Sequence, residues 1–251
     1  MTPQEIFFYR FLIAYIGIWV ISPKRLFTGN WKDELWLVAG GIFGGSLYFF
    51  TENTALGITQ ASNVSFIICT APLLTTILSL LFYKSEKASK GLIYGTLLAL
   101  MGVGLIVFNG SFVLKISPIG DLLTLLAALS WAFYSLIIKK MAGRYPTVFI
   151  TRKIFFYGVL TILPAFLLHP LQPDAAVLLQ PGVLFNLLFL AVLASLICYV
   201  LWNVVLKQLG TVRASNYIYL NPLVTMIASS LILDEKITLV ALGGAACIVC
   251  G

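Results

Sequence analysis

Tyr48 and Glu52 stand one helical turn apart, in line with Gly41 and Gly45, inside the apolar stretch 35–54. A carboxylate beside a phenol in such surroundings suits binding of a cation or a proton, because apolar surroundings penalise the charged form. Glu52 also falls ~26 Å along a helix starting at Leu35, near the far edge of a ~30 Å hydrocarbon layer. It is therefore either a cavity carboxylate or a solvated anchor at the interface. Two other stretches gather rings and amides: Trp131, Tyr134 and Ser135 within 118–138, and Ser195, Tyr199, Trp202 and Asn203 within 183–206. Aromatic rings with a few polar groups suit an apolar pocket that orients a small amphipathic solute; the same residues also serve to pack helices. Asn63 and Tyr217, from two similar stretches QASNVSFIICTAP and RASNYIYLNP, complete the candidate substrate contacts.

Other chemistries find little support. The chain has one histidine, no H-E-x-x-H and no nucleotide-binding glycine loop, so neither a membrane-embedded enzyme nor an ATP-driven pump is expected. Cys247 and Cys250 form a C-x-x-C without the further ligands a zinc site needs, and all four cysteines lie in apolar stretches. Neither a metal, a cofactor nor a disulfide framework is expected. Asp121 follows Ser117-Pro118 in what reads as a helix start and is assigned to capping. Ser89 and Thr238 are read as caps after the Glu86-Lys87 and Glu235-Lys236 turns, and His169 lies in the longest loop with no special role.

The elements that must position these residues are membrane helices. Of 251 residues, 60% are hydrophobic and 10% charged, with mean hydropathy +1.01. A soluble domain carries about 25% charged residues, so this chain could not cover itself in water. Apolar runs predict spans near 4–22, 35–54, 61–82, 90–108, 118–138, 148–168, 183–206, 214–233 and 238–251. No cleavable signal peptide is expected, since residues 1–5 lack a basic start. The net charge of +7 is scattered between the runs, which argues against nucleic acid. Alternate loops hold Lys24, Arg25 and Lys32; Lys84, Lys87 and Lys90; Lys139, Lys140 and Arg144; and Lys207 and Arg213. The intervening loops hold only Lys115 and Lys236. Positive loops stay cytoplasmic, placing residue 1 outside and residue 251 inside. Arg10, Arg152 and Lys153 fall within spans and either snorkel to headgroups or balance substrate charge.

The chain is duplicated. Leu56-Gly57 with Ala61-Ser62-Asn63 matches Leu209-Gly210 with Ala214-Ser215-Asn216, followed in order by Pro72 with Pro222 and Glu86-Lys87 with Glu235-Lys236. Five spans in the second copy invert it relative to the first, the arrangement of many secondary transporters. The first repeat is read as 1–108 with four spans, 109–117 as a linker, and 118–251 as the second repeat. The fold expected is all-α and integral to the membrane, two inverted repeats of five helices seen here as about nine spans. The first helix is read as absent and the last as shortened; a native nine-span protein is the alternative. Pro72 and Pro222 fall mid-span, where a proline removes a backbone bond at ~3 kcal/mol or more in water. Lipid tolerates that where neighbours or a cavity satisfy the freed carbonyl. With Gly45 they are expected to shape a cavity wall, simple bends being the alternative.

These features resemble the EamA family of the drug/metabolite transporter superfamily. The carriers are FFYRFLIAY (7–15), the two Ala-Ser-Asn stretches each followed by Pro and Glu, and SPIGDLLTLLAALSWAFYSLIIKK (117–140). The resemblance implies a carrier of small metabolites with a central cavity, in a bacterial-type inner membrane. Amino-acid or drug-like solutes, export, alternating access and proton coupling are the corresponding expectations. A non-transporting assembly or sensor protein is the main alternative.

Overall fold

The computed structural model describes residues 1–23, 27–83, 90–108, 117–168, 170–171, 175–233 and 238–251. Lys24, Arg25, Lys84, Glu86, Lys87, Ser89, Lys115, His169, Glu235, Lys236 and linker residues 109–116 lie outside the described residues. The described elements are helical, with no strand among them. They are α1 (Pro3–Ile21), α2 (Trp31–Gly41), a π segment (Ile42–Ser46), α3 (Leu47–Ile58), α4 (Ala61–Ile68), α5 (Ala71–Phe82) and α6 (Lys90–Phe108). There follow α7 (Pro118–Ala142), α8 (Thr147–Ile162), α9 (Ala165–Leu168), α10 (Ala175–Leu178), α11 (Pro181–Leu188), a second π segment (Phe189–Ile197) and α12 (Cys198–Leu209). The last are α13 (Thr211–Asn216), a 3-10 turn (Tyr217–Leu220), α14 (Asn221–Leu233) and α15 (Leu239–Cys250). Five apolar stretches among the described residues are long enough to cross a membrane: Pro3–Ile21, Asn63–Phe82, Pro118–Ala142, Thr147–Leu167 and Pro181–Leu209.

The chain forms two compact units, each drawing on both sequence halves. Unit 1 holds Met1–Phe50 and Phe133–Gly210. Thr2 starts α1 with a capping box: its hydroxyl accepts from the Glu5 N–H while the Glu5 carboxylate accepts from the Thr2 N–H. α1 packs on α8 and on the second π segment. Their shared core is aromatic: Phe11, wholly buried, lies 4.3 Å from Phe7, 5.1 Å from Phe155 and 5.7 Å from Tyr199, ring centre to ring centre. Such ring pairs add stability beyond their buried area. α2 also packs on α8, and its glycines set the distance: a Cβ on Gly41 would lie 2.5 Å from Cβ of Tyr157. α12 ends at Gly210, whose φ of +80° is left-handed and favours glycine.

Unit 2 holds Thr51–Ala132 and Thr211–Gly251. α15 lies along α6, backbone on backbone: a Cβ on Gly102 would sit 2.5 Å from the Gly244 carbonyl oxygen. Cys247 belongs to this contact, and all four cysteines are free. α4, α14 and the 3-10 turn also pack on α6, while α13 packs on α5. Two helix starts match their sequence reading. Pro118 opens α7 with Asp121 accepting from the Ser117 N–H at 3.2 Å, and the Thr238 hydroxyl caps α15 by accepting from Ala241 N–H.

The prolines need a correction. The stretch 61–82 is two helices joined by a turn at Cys69 and Thr70, so Pro72 stands in the first turn of α5. There the absent N–H would have had no helical partner. The turn serves the exposed carbonyls itself: Thr70 donates to the Ile67 oxygen through its N–H at 2.9 Å and its hydroxyl at 2.7 Å. Pro222 likewise is the second residue of α14, after the 3-10 turn, with Asn221 N–H donating to the Ile218 oxygen. Both prolines open new helices where mid-helix kinks were expected.

Candidate functional site

At one end of unit 1, Asn30 caps α2 by accepting from Lys32 N–H at 3.1 Å, and two acids occupy the first turn. Asp33 accepts from Arg144 at 2.5 Å and from the Tyr145 hydroxyl at 2.8 Å. Burial and the Asp33 acceptor push the Tyr145 hydroxyl above the usual phenol range, so it remains a donor. Glu34 accepts from the Thr28 N–H and hydroxyl, at 3.1 and 2.8 Å, and receives both the Lys153 ammonium and the Tyr157 hydroxyl. The Lys153 side chain is fully buried, and Arg152, 1% exposed, donates to the Ser22 carbonyl. Each cation thus ends on a protein acceptor at a helix end, the Ser22 carbonyl for Arg152 and the Glu34 carboxylate for Lys153. Buried charge is tolerable when paired in this way.

Farther along unit 1 runs an uncharged network. The Tyr134 hydroxyl donates to Asn203 Oδ1 at 2.8 Å, and Asn203 Nδ2 donates to the Thr151 hydroxyl at 2.9 Å. All three residues are fully buried. Tyr199 donates to the Gly44 carbonyl at 2.6 Å. Gly44 lies in the π segment, where the local widening frees carbonyls from the regular ladder. A Cβ on Gly44 would fall 2.2 Å from the Tyr134 ring, so glycine is what lets ring and backbone meet. Arg10 donates from Nε to the Ser195 hydroxyl at 2.8 Å and sits 4.5 Å from the centre of the Phe49 ring. Gly45 faces Phe11, and the half-buried Tyr48 sets its ring edge-on to Phe49. The structure therefore brings Tyr134, Tyr199 and Asn203 together, with Tyr134 bonded to Asn203 and the two tyrosine rings tilted against each other at 6.0 Å.

The other candidates belong to unit 2. Glu52 and Trp131 are half-buried, Asn63 is buried and Tyr217 is exposed. A cavity of about 480 Å³ opens among α6, α15 and the α13–Tyr217 stretch. Tyr217 lines it, together with Arg213, Asn216, Tyr219 and Thr96; Glu52, Asn63 and Trp131 do not. Sequence reading missed this cavity and the Glu34–Lys153–Tyr157 cluster. Their signals were present: Arg213 three residues before Asn216, and a lysine one turn from a tyrosine inside an apolar helix.

These helices agree with what sequence comparison finds. A family model described as the EamA-like transporter family matches residues 1–108 and 118–251. The chain belongs to the EamA-like transporter family. Like its relatives, this transporter is a multi-pass protein of the cell membrane. It is 29% identical over 240 residues to an uncharacterized transporter of Archaeoglobus fulgidus, covering 94% of this chain and 81% of that one. Two relatives named probable amino-acid metabolite efflux pumps are 27% identical in Salmonella typhimurium (100% of this chain, 84% of the relative) and 24% identical in Escherichia coli (92% and 80%). A solved crystal structure shares the transporter's fold with a TM-score of 0.80 at 17% identity, covering 99% of this chain and 85% of that chain.

Proposed function

We propose that the transporter is a secondary carrier that exports a small amphipathic metabolite, an amino acid or related solute, by alternating access. The observation that carries this reading is the family match over both 1–108 and 118–251, the two segments that also read as repeats. Inverted repeats of five helices each supply the two-sided access such a cycle needs. Export and this solute class are supported by the two relatives named probable amino-acid metabolite efflux pumps. Tyr48, Glu52, Asn63, Trp131, Tyr134, Tyr199, Asn203 and Tyr217 are the proposed solute contacts, and Glu52 the proposed proton or cation site. Gly45, Pro72 and Pro222 are proposed to shape the path, the prolines by starting helices anew beside interrupted backbone.

The test is solute counterflow in proteoliposomes containing the full chain, loaded with individual amino acids, with and without an imposed pH gradient. Saturable exchange that accelerates with the gradient is the expected result. Absence of exchange for every amino acid and for cationic dyes would sink the carrier reading in favour of an assembly or sensor role.

A further inference from the structure

We propose that Arg10 binds the carboxylate of the transported solute, with Ser195 and Phe49 holding its guanidinium in place. The inference rests on the carrier reading above and adds to it the charged group by which the solute is held. Arg10 stands about two turns into α1, ~10 Å past Pro3, so its charge lies within a membrane-spanning stretch. A cation at that depth is expensive, and ionisable groups there serve substrate or ion paths. The guanidinium is oriented from two sides. Its Nε donates to the Ser195 hydroxyl at 2.8 Å, and its central carbon lies 4.5 Å from the centre of the Phe49 ring. Ser195 and Phe49 are both buried, whereas Arg10 is half-buried and keeps surface of its own at which a solute can meet it. Both supports are neutral, so they fix the cation without cancelling its charge. With Nε turned to Ser195, the approach that suits a carboxylate is end-on, across Nη1 and Nη2. There a guanidinium presents a fork of N–H donors that matches the two carboxylate oxygens.

The surroundings fit the rest of an amphipathic solute. The Phe49 ring lies 5.0 Å from Tyr48 and 5.7 Å from Phe11, and Phe11 in turn stands 5.7 Å from Tyr199. The cation thus shares one aromatic neighbourhood with two of the proposed solute contacts, Tyr48 and Tyr199, all within unit 1. Ser195 precedes Tyr199 by about one turn and lies in the second π segment, which packs on α1. Such segments depart from the regular helical ladder and are frequent at functional sites. A guanidinium beside aromatic surface suits an acid whose remainder is apolar, as in an amino acid with an apolar side chain.

Counterflow in proteoliposomes containing the full chain tests the assignment, with each amino acid compared with its own amide. The amide keeps the ammonium and the side chain and replaces the carboxylate by a neutral group of similar shape. The wild type is expected to prefer the acid. Arg10→Gln is expected to raise the apparent KM of the acid by about tenfold or more and to leave that of the amide unchanged. Arg10→Lys keeps the charge without the fork and is expected to raise the acid's KM by less. Ser195→Ala takes away the Nε acceptor and is expected to raise it by about threefold, again for the acid alone, as befits a positioning residue. Lys207→Gln, which removes an exposed cation of α12, is expected to change neither. If Arg10→Gln does not yield folded protein, Arg10→Lys and Ser195→Ala decide by the same comparison. Equal effects on acid and amide would make Arg10 a structural residue and overturn the proposal, as would a wild type that does not distinguish the two. No exchange of any amino acid would overturn the carrier reading itself; exchange without that distinction overturns this inference alone.

Discussion

Glu34 and Lys153 meet as an ion pair where α2 packs on α8, and Tyr157, one turn beyond Lys153, donates its hydroxyl to the same carboxylate. Removing one partner of such a pair leaves an uncompensated charge, whereas removing both leaves none. Lys153→Met and Glu34→Gln are each expected to destabilise by about 3–5 kcal/mol. The double variant is expected to lose much less than the sum. Thermal melting in detergent measures all four corners of the cycle; simple additivity would show that the pair does not couple.

The Tyr134–Asn203 hydrogen bond predicts a smaller loss. Tyr134→Phe leaves Asn203 Oδ1 buried without its donor, at a cost of about 1–3 kcal/mol. The same variant in counterflow separates two roles. A raised apparent KM at unchanged melting temperature marks a solute contact; a lowered melting temperature at unchanged KM marks a structural bond.

Gly44 and Gly57 make a matched pair. Gly44→Ala drives a methyl into the Tyr134 ring and is expected to destabilise by about 1–3 kcal/mol. A Cβ on Gly57 would meet nothing within 4 Å, so Gly57→Ala is expected to be neutral or to stabilise by up to about 1 kcal/mol. Equal melting temperatures for the two variants would refute the close approach at the π segment.

Glu52→Gln tests coupling. It removes the charge while keeping the shape, and is expected to abolish acceleration of counterflow by a pH gradient while leaving membrane insertion intact. Tyr48→Phe, one turn away, is expected to raise KM more than it changes coupling. Normal gradient-driven flux in Glu52→Gln would make this residue an interfacial anchor.

Class and membership were legible in the residues. Apolar runs and sparse charge dictate membrane helices because few other structures satisfy the backbone in lipid, and the transporter family followed from ordered motifs. Caps at Asp121 and Thr238 were equally legible, being contacts between chain neighbours. Tyr134, Tyr199 and Asn203 were singled out by residue type alone, and their partners Gly44 and Thr151 were not foreseen.

What tertiary structure decided was the partnering of groups far apart in the chain. Asp33 and Glu34 stand in the first turn of α2, and it is α8 that places Lys153 and Tyr157, and the loop before it Arg144 and Tyr145, against them. Pro72 and Pro222 read as kinks because periodicity runs through them; only backbone hydrogen bonding reveals that a helix has ended and another begun. The spacing of Arg213 and Asn216 did not by itself place the cavity they line, since its other walls come from α6 and α15. Hydropathy acts along the chain and is written in it. Hydrogen bonds and ion pairs depend on a few ångströms between distant residues, and that distance exists only once the helices have packed.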